Sequence, residues 1–558
     1  MGLLVGYTLI VAAMRARLAF VAAGATSAVG VPSLVFSESD RRSGSANASG
    51  GNTSGKSEHD VHGGGVVFAP ATPPRAYPHA RLEFVQLLSR HGDRTSINPL
   101  PFETKLQWKP FLLDDVADRR LAKFAEPSPP NPTLLDNKRT DAHGADASWH
   151  GQLTSQGETQ LKGTGASLRR WLVGNGENNI NGHVLLPFSL RQAVATGAVK
   201  IRSTSTRRTV QSSQALVSGL YPEDEQEEDD GDKYSSNNKN PSLPIEVRDR
   251  FRESMFPNPG MACVRQTELM RALDGDKLVI DAEERAWQSE YLASVRQEVH
   301  LRNLERRKRH EKTKMKQSIE SSGGEATVAD DTSTSNDSNA LPSNLRQPSA
   351  TSVWEPLQAR ANHGLPLPTG VTVSDVSLIR NAAEVRYVNR SRNAEGAGLA
   401  GGRLLKELSL EIAANIADSA KQDVKRHRLS IYSGHDSSIL ALLAVLHAFP
   451  GEWPPVASTV VVETWSVREL IAGDRSRGSG RRHWSDTTLG EALHKTASDT
   501  TGPQIMVRVL FNGRVLALDG CPSQDLLSNG GLCSLHEFIE MARERDPIDF
   551  KLACQSKL

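Results

Sequence analysis

An apolar run from Leu82 to Leu88, suited to a buried strand, leads directly into the pentapeptide RHGDR at residues 90–94. The central glycine allows a sharp turn, and the two arginines carry permanent planar charges that fit anion oxygens. The imidazole of His91 is partly neutral near neutral pH and can act as a nucleophile. The alternative is a charged strand end in solvent whose histidine has no role. The combination favours a strand that ends in an anion-binding turn.

A second junction of strand, turn and helix lies far downstream. Residues 429–433 (LSIYS) predict a short buried strand, and an apolar helix is predicted over 437–446. Gly434, His435 and Asp436 form the turn between them. Ligands of open α/β sheets bind at the carboxyl ends of strands, so a carboxylate here can protonate a leaving oxygen if its pKa is suitable. Alternatively, Asp436 only caps the helix.

A third segment predicts a strand from Val199 to Arg202, followed by a turn rich in serine and threonine and by a helix that contains Arg208. Hydroxyls and amides at a helix start suit an anion. An arginine cluster alone is more often a solvated face or a nucleic-acid patch. This segment therefore indicates an anion-binding site only in combination with the other two.

Together these segments resemble the histidine acid phosphatases, which form branch 2 of the histidine phosphatase superfamily. Residues 90–94 resemble the family's RHGxR motif, residues 434–436 its HD motif, and residues 202–209 (RSTSTRRT) its RST…RT segment. Weaker similarities extend from about residue 81 to 541. NPLP at 98–101 and WPP at 453–455 most resemble the lysophosphatidic-acid type of acid phosphatase. One departure is Ser96, where the family usually has proline.

The resemblance implies an α/β fold: a three-layer sandwich with a mixed, mostly parallel sheet, similar to phosphoglycerate mutase, and an inserted, mainly helical cap. Predicted strands at 460–463 and 506–511, the second followed by an Asn-Gly hairpin turn, would add an antiparallel edge. A helix is predicted over 151–173, with Leu161, Ala166, Leu168 and Leu172 toward the core.

The resemblance also implies the chemistry. His91 would attack phosphorus and form a phosphohistidine, and Asp436 would protonate the departing alcohol. The phosphate oxygens would be held by Arg90, Arg94, Arg208 and His435. Neither a metal ion nor another cofactor is expected. Asp93 is expected to satisfy local amides or an arginine.

The four cysteines include no CxxC pair, which argues against a zinc site. By resemblance, Cys521 pairs with Cys533 and Cys263 with Cys554. The sequence itself allows three connectivities, and also four free thiols.

The chain has 558 residues, and its 66 Lys and Arg residues nearly balance its 65 Asp and Glu residues. That balance is not typical of a general polyanion binder. The length would allow three domains. The spread of the motifs instead favours one catalytic domain over 77–558, with low-complexity insertions around 223–245 and 305–352.

The N-terminus predicts a signal peptide or membrane anchor over 1–36 and a disordered linker over 37–76. Glycosylation sequons at Asn47, Asn52, Asn336 and Asn389 favour the secretory pathway, with a secreted, endolysosomal or membrane-anchored protein. Arginines without an acidic residue before Glu38 keep a mitochondrial presequence as the alternative.

Residues 276–320 are highly charged and favour helix. Their basic part, 302–316, could contact a membrane, as could the N-terminus. A solvated helix is the simpler interpretation, and nucleic acid is not expected because aromatic residues do not interleave with the basic ones. The sequence does not predict the oligomeric state.

The favoured function is an acid phosphatase acting on phosphomonoesters, with lysophosphatidic acid or a similar lipid phosphate as candidate substrate. A phytase-like phosphatase is an alternative, and it would need a broad basic pocket. A catalytically dead phosphatase-like binding protein is another alternative, against which the presence of His91, His435 and Asp436 argues. A structural or adhesive surface protein is the last.

Overall fold

The computed structural model describes residues 77, 80–113, 122–124, 149–173, 185–222, 242–321, 348–418, 426–467, 503–526, 530–547 and 549–556. The predicted signal or anchor segment (1–36), the predicted linker (37–76) and most of the two predicted insertions lie outside these residues. The described part includes regular structure at the edges of the insertions. A strand already begins at Leu243, one helix continues to Ser321, and another begins at Ala350.

Within the described residues, nine strands form one sheet. They are β1 (Arg81–Arg90), β2 (Ala122–Phe124), β3 (Val199–Ser203), β4 (Leu243–Val247), β5 (Leu429–Gly434), β6 (Thr459–Val467), β7 (Gln504–Phe511), β8 (Arg514–Val515) and β9 (Cys533–Ser534).

The strand order is β2–β4–β3–β5–β1–β6–β7–β8, and β9 pairs with β7. All pairings among the strands β1, β2, β3, β4 and β5 are parallel. The pairings of β6 with β1 and β7, and of β7 with β8 and β9, are antiparallel. The predicted mixed sheet is therefore confirmed, with an antiparallel part wider than one edge strand. The predicted hairpin turn joins β7 to β8, where Asn512 and Gly513 have φ values of 46° and 80°. Such left-handed backbone is what a tight hairpin turn needs.

The helices are numbered separately in chain order. They are α1 (Lys105–Trp108), α2 (Ser155–Leu172), α3 (Leu190–Thr196), α4 (Arg207–Leu220), α5 (Val264–Asp274), α6 (Lys277–Ala286), α7 (Glu290–Ser321), α8 (Ala350–Asn362), α9 (Val373–Ser391), α10 (Ala394–Ala397), α11 (Arg403–Asp418), α12 (Asp436–Val445), α13 (Leu535–Arg545) and α14 (Phe550–Ala553).

Helices cover both faces of the sheet, which gives three layers. Successive side chains of a strand point to opposite faces. Accordingly, Val85 and Leu87 of β1 join a core formed with α2 and α4, and Phe84 and Leu88 join a second core formed with α11, α12 and α13. Because both faces are covered, β5 is buried along its whole length.

The helices α5 to α10 form the cap between β4 and β5. Residues of α6, α7, α8 and α9 share a core of their own, and Leu440 of α12 joins it. The charged segment 276–320 forms two of these helices, α6 and α7, as its composition predicted. The cap is thus mainly helical and packs against the end of the sheet where α12 begins.

The helix predicted at 151–173 begins later, at Ser155. Thr154 caps it, because its hydroxyl accepts the amide of Gly157 over 3.1 Å. Leu161, Leu168 and Leu172 are buried as predicted, whereas Ala166 is half-buried.

Two disulfides link Cys263 to Cys554 and Cys521 to Cys533, as the resemblance implied. Asn389 is 9% exposed, and its amide nitrogen donates to the carbonyl of Leu273 over 2.9 Å. It is therefore a poor glycosylation acceptor, which corrects one of the four predicted sequons. Among the described helices, none combines the length and apolar character that crossing a bilayer requires.

Candidate active site

The three motif turns lie side by side because their strands are neighbours. Arg90 of β1 pairs with Gly434 of β5, and Ser203 of β3 pairs with Ser433. All three strands therefore end at one edge of the sheet, where ligands bind in open α/β folds. The ring centroids of His91 and His435, which follow β1 and β5, lie 5.6 Å apart.

His91 is 1% exposed, and its Nδ1 lies 2.8 Å from the carbonyl oxygen of Gly92. Because a carbonyl oxygen can only accept, Nδ1 carries the proton and Nε2 keeps its lone pair. The ring also lines a cavity of about 530 Å³. This is the tautomer that a nucleophilic Nε2 requires.

A close approach of two glycines makes the turn at Gly92 possible. A Cβ on Gly92 would lie 2.3 Å from the carbonyl oxygen of Gly157, and a Cβ on Gly157 would lie 2.2 Å from that of Asp93. The amide of Gly92 also donates to the hydroxyl of Ser212 over 3.1 Å. The first turn of α2 and the middle of α4 therefore fix the backbone around His91.

Asp93 ties this turn to the cap. Its Oδ2 accepts the hydroxyl of Thr154 over 2.7 Å and lies 2.5 Å from Nε2 of His363. The prediction of local amides or an arginine as partners is thus wrong, since a hydroxyl and an imidazole take that place. Ser96, which replaces the family's proline, is buried, and its carbonyl accepts the amide of Gly151 over 3.0 Å. Hydrogen bonds therefore hold the backbone there.

The three predicted arginines lie together at one end of the cavity, Arg94 and Arg208 in its lining and Arg90 against the lining residue Asp436, and each has a different partner. Nη2 of Arg90 lies 2.9 Å from Oδ2 of Asp436, and Arg94 pairs with Glu355. Nη2 of Arg208 lies 3.2 Å from Nδ1 of His435. The Nε atoms of all three arginines are buried without a hydrogen-bond partner among the described residues. Arg90 and Arg94 thus each face a carboxylate, whereas Arg208 faces an imidazole.

Protein groups engage both ring nitrogens of His435. A guanidinium can only donate, so Nδ1 accepts from Arg208, and Nε2 then donates to the hydroxyl of Thr204 over 3.0 Å. The ring also stacks on Phe256 with a centroid distance of 5.4 Å. His435 therefore orients Arg208 toward the cavity.

The cationic surroundings shift the acid–base groups. Burial, and then the charges of Arg208 and Arg90, hold the pKa of His91 well below its usual range. Burial and the charge of Arg208 do the same to the pKa of His435. Burial opposes ionisation of Asp436, but the charges of Arg90 and Arg94 outweigh it and lower that pKa.

Burial also lowers the pKa of Arg208, to about 9, so this guanidinium remains charged at neutral and acidic pH. The structure therefore places two neutral imidazoles and an ionised carboxyl among three charged arginines.

Sequence reasoning missed two side chains at the site. Phe256 lies in a loop before the cap, and Glu355 lies in α8 of the cap itself. Neither belongs to a motif, and the fold alone brings Glu355 to Arg94. Thr204 was within the RST…RT segment, and its hydroxyl could have been expected near the site from that position.

The rest of the cavity differs from the end that holds His91. Most of its lining side chains are apolar. They come from the loop before the cap, from the cap and the segment that follows it, and from α12 and the loop after it. They include Phe256, Leu269, Met270, Leu273, Ala400, Leu440, Ala444 and Phe449. The cavity thus joins a cationic end to an apolar end.

The arrangement can transfer a phosphoryl group. It offers an unprotonated imidazole nitrogen, several guanidinium donors for the oxygens of a phosphoryl group, and a carboxyl group beside them. All six predicted site residues lie at the end of the cavity that holds His91.

Comparisons with known proteins agree with this geometry. The family model of the histidine phosphatase superfamily (branch 2) matches residues 81–512. A probable acid phosphatase of Schizosaccharomyces pombe is 26% identical over 167 residues, which are 28% of this chain and 36% of that protein. Lysophosphatidic acid phosphatase type 6 of Bos taurus is 22% identical over 465 residues, which are 82% of each protein.

Among solved structures, the Hafnia alvei phytase in complex with myo-inositol hexakis sulphate is similar with a TM-score of 0.45 and 15% identity, covering 88% of this chain and 100% of that one. The family match spans most of the chain and contains all three motif turns. This chain therefore belongs to branch 2 of the histidine phosphatase superfamily, a family of phosphoric monoester hydrolases.

Proposed function

We propose that this enzyme is an acid phosphatase that hydrolyses phosphomonoesters through a covalent phosphohistidine. The observation that carries the proposal is the neutral tautomer of His91, whose Nε2 lone pair is available among Arg90, Arg94 and Arg208. Surrounding cations disfavour protonation of this imidazole, and the same cations stabilise a phosphoryl group under attack.

In the first half-reaction, Nε2 of His91 attacks phosphorus. A nitrogen–phosphorus bond forms, and the phosphorus–oxygen bond of the ester breaks. Arg90, Arg94 and Arg208 hold the phosphoryl oxygens, and His435 orients Arg208 beside them. Asp436, in its protonated form, gives its proton to the leaving alcohol oxygen.

In the second half-reaction, a water molecule attacks phosphorus and gives a proton to the Asp436 carboxylate. The nitrogen–phosphorus bond breaks, its electron pair returns to Nε2 of His91, and phosphate leaves. Because the arginines supply the charge stabilisation, this scheme requires no metal ion.

Acidic pH should favour this reaction. The lowered pKa of Asp436 means that its protonated form is populated only at acidic pH. A bound phosphate dianion would offset the charges of Arg90 and Arg94 and so raise that pKa. Because the pKa of His91 is also lowered, the nucleophile stays neutral in the same acidic range.

The apolar end of the cavity supports a lipid phosphate as substrate, with lysophosphatidic acid as one candidate. A phosphate held by the arginines would place the alcohol part of the ester toward Leu273, Leu440 and Phe449. Burial of an acyl chain there would contribute about 0.8 kcal/mol for each methylene group.

The cavity gives less support to phytate. Apart from the phosphate end, its lining includes two cations, Arg250 and Arg390. Asp274 already binds Arg390 through two contacts of 2.9 and 2.6 Å. A polyphosphate would need more free positive charge than this arrangement offers.

The two disulfides support a secretory location, because such bonds persist in oxidising compartments. Membrane contact through the N-terminus or the basic segment 302–316 stays part of the proposal.

The test is an assay of phosphate release from three substrates: nitrophenyl phosphate, lysophosphatidate and phytate, each near pH 5 and pH 8 with a chelator present. We expect chelator-resistant release that is faster at pH 5, with lysophosphatidate preferred over phytate. Release that depends on added metal, or that favours phytate, would contradict the proposal.

A further inference from the structure

A surface beside the cavity gathers exposed apolar and basic side chains. We define the mouth patch as Phe251, Arg252, Met261, Val264, Lys551 and Leu552, all of which are exposed. Phe251 is 60%, Met261 70% and Leu552 62% exposed. A contiguous exposed apolar patch commonly marks an interaction site.

The loop before α5 supplies the first part of the patch. A Cβ on Gly260 would lie 3.7 Å from the ring of Phe251, so these residues are neighbours. Gly260 and Met261 have φ values of 63° and 56°. A left-handed backbone is unusual for methionine and costs free energy, so the fold maintains the exposed position of Met261 against a local preference.

The C-terminal helix α14 supplies the second part. The Cys263–Cys554 disulfide joins it to the same loop. Arg403 also bridges the two parts, because its Nη2 donates to the carbonyl of Arg252 over 3.1 Å and its guanidinium lies 4.9 Å from the ring centroid of Phe550. The patch is therefore one continuous surface.

This surface borders the cavity. Arg250, Pro257 and Pro259 of the loop line the cavity. Leu269, which packs against the Cys263–Cys554 disulfide, lines it as well. An apolar molecule leaving the mouth patch would therefore find the apolar end of the cavity close by.

The patch and its immediate surroundings carry more positive than negative charge. Two carboxylates beside the patch each accept a backbone amide over 2.9 Å, Asp249 that of Phe251 and Asp549 that of Leu552. At its edge, Glu268 and Glu395 both pair with Arg265. With Arg265 counted, five cations stand against these four carboxylates, the other four being Arg250, Arg252, Arg403 and Lys551.

We propose that the mouth patch docks the enzyme on an anionic lipid bilayer. Phe251, Met261 and Leu552 enter the headgroup region, and Arg252 and Lys551 contact lipid phosphates. Apolar side chains interleaved with cations are the composition of interfacial membrane-binding surfaces. The purpose of this docking, transfer of a lipid phosphate into the cavity, rests on the proposed function, but the docking itself can be tested alone.

The test measures binding of the full chain to sedimenting vesicles of phosphatidylcholine, with and without phosphatidylserine. We expect binding to the anionic vesicles that weakens with added salt. Phe251→Ser/Met261→Ser should weaken it, and Arg252→Gln/Lys551→Gln should weaken it by about fivefold for each cation removed. Every variant keeps the same N-terminus, so any contribution of that segment cancels.

Phe188→Ser is the matched control, because Phe188 is 57% exposed and follows α2 on the other face of the sheet. Its vesicle binding should equal that of the wild type. The proposal would be overturned if both double variants bound the anionic vesicles as strongly as the wild type, or if the wild type did not bind them. A third outcome would also overturn the proposal: the wild type forms dimers and does not bind vesicles, and the double variants are monomers. The patch would then bind a second copy of this chain.

A second measurement separates this proposal from the proposed function. Hydrolysis of nitrophenyl phosphate without vesicles should be unchanged in both double variants. If the wild type binds vesicles but hydrolyses nothing, the proposed function fails and the docking surface stands.

Discussion

Arg202 and Arg208 stand six positions apart in one motif, yet their surroundings differ completely. Arg202 is the penultimate residue of the central strand β3, and its two Nη atoms lie 3.2 Å from Glu253 and 2.8 Å from Glu407. Arg208 is the second residue of the next helix, α4, and it lines the cavity and donates to the neutral ring of His435. Among the described residues, no carboxylate lies within ion-pair distance of Arg208.

The difference shows how the fold assigns arginines to structure or to function. Where distant segments supply two carboxylates to one arginine, as for Arg202, the cation is neutralised and stabilises the fold. Where they supply one or none, as for Arg94 and Arg208, guanidinium donors remain available to an anionic substrate. Five predictions test this division, from the largest expected effect to the smallest.

This assignment of arginines assumes that the available cations hold the phosphoryl group that His91 attacks. His91→Ala should lower kcat for nitrophenyl phosphate by about four to six orders of magnitude, because only the cationic binding site remains. His536→Ala, at an exposed histidine of α13, is the control and should keep full activity. Activity of His91→Ala within about tenfold of the wild type would remove His91 as the nucleophile.

Asp436 is the carboxylate that lines the cationic end of the cavity. Asp436→Asn should lower kcat for an alkyl phosphate by about 10² to 10⁴, because the alkoxide then leaves without a proton. Nitrophenolate needs little help to leave, so its loss should be smaller. Equal losses in parallel assays of the two substrates would exclude Asp436 as the general acid.

Arg208→Gln should lower kcat/KM by about 10² to 10³ and weaken inhibition by vanadate. Because the charge of Arg208 lowers the pKa of His91, removing it should raise that pKa. More of the nucleophile would then be protonated at pH 5 than in the wild type, so the loss should be larger at pH 5 than at pH 7. A uniform loss across pH would contradict this, and Arg207→Gln is the adjacent control.

Arg202→Gln should lower the free energy of unfolding by about 3 to 5 kcal/mol, because Glu253 stays buried without its cation. Burial already raises the pKa of Glu253, so protonation at low pH should relieve part of the loss. Denaturant titrations at pH 5 and pH 7 measure both effects. A stable variant that lost activity would instead place Arg202 in the active site.

Glu355→Gln should have the smallest effect. Removing the carboxylate beside Arg94 leaves more positive charge for a dianion, so phosphate should inhibit up to about fivefold more strongly. The carboxylate is partly exposed, which limits the gain. Weaker inhibition by phosphate would show that Glu355 instead positions Arg94.

Much of the site could be predicted because each motif is a short contiguous segment at a strand end. Apolar runs at 82–88, 199–202 and 429–433 predict strands, and parallel strands bring their ends to one edge. The hydrogen-bonded partners of these residues could not be predicted. Glu253, Glu355 and Glu407 come from separate segments, and sequence spacing does not say which arginine each will meet.

The fold class could be predicted from the same motifs, whereas the apolar half of the cavity could not. Phe256, Leu269 and Leu440 lie on a loop, on α5 and on α12, and only the packing of the cap over α12 brings them together. The prediction of partners for Asp93 was wrong for the same reason, because its partner His363 lies in the cap.

Trapping the covalent intermediate tests the central claim most directly. Wild type and His91→Ala are mixed with excess nitrophenyl phosphate, quenched within milliseconds and digested, and the phosphate is located by mass spectrometry. The account predicts phosphate on His91 in the wild type and on no residue in the variant. Rapid hydrolysis by the wild type with His91 unmodified at every quench time, or phosphate on another residue, would contradict it.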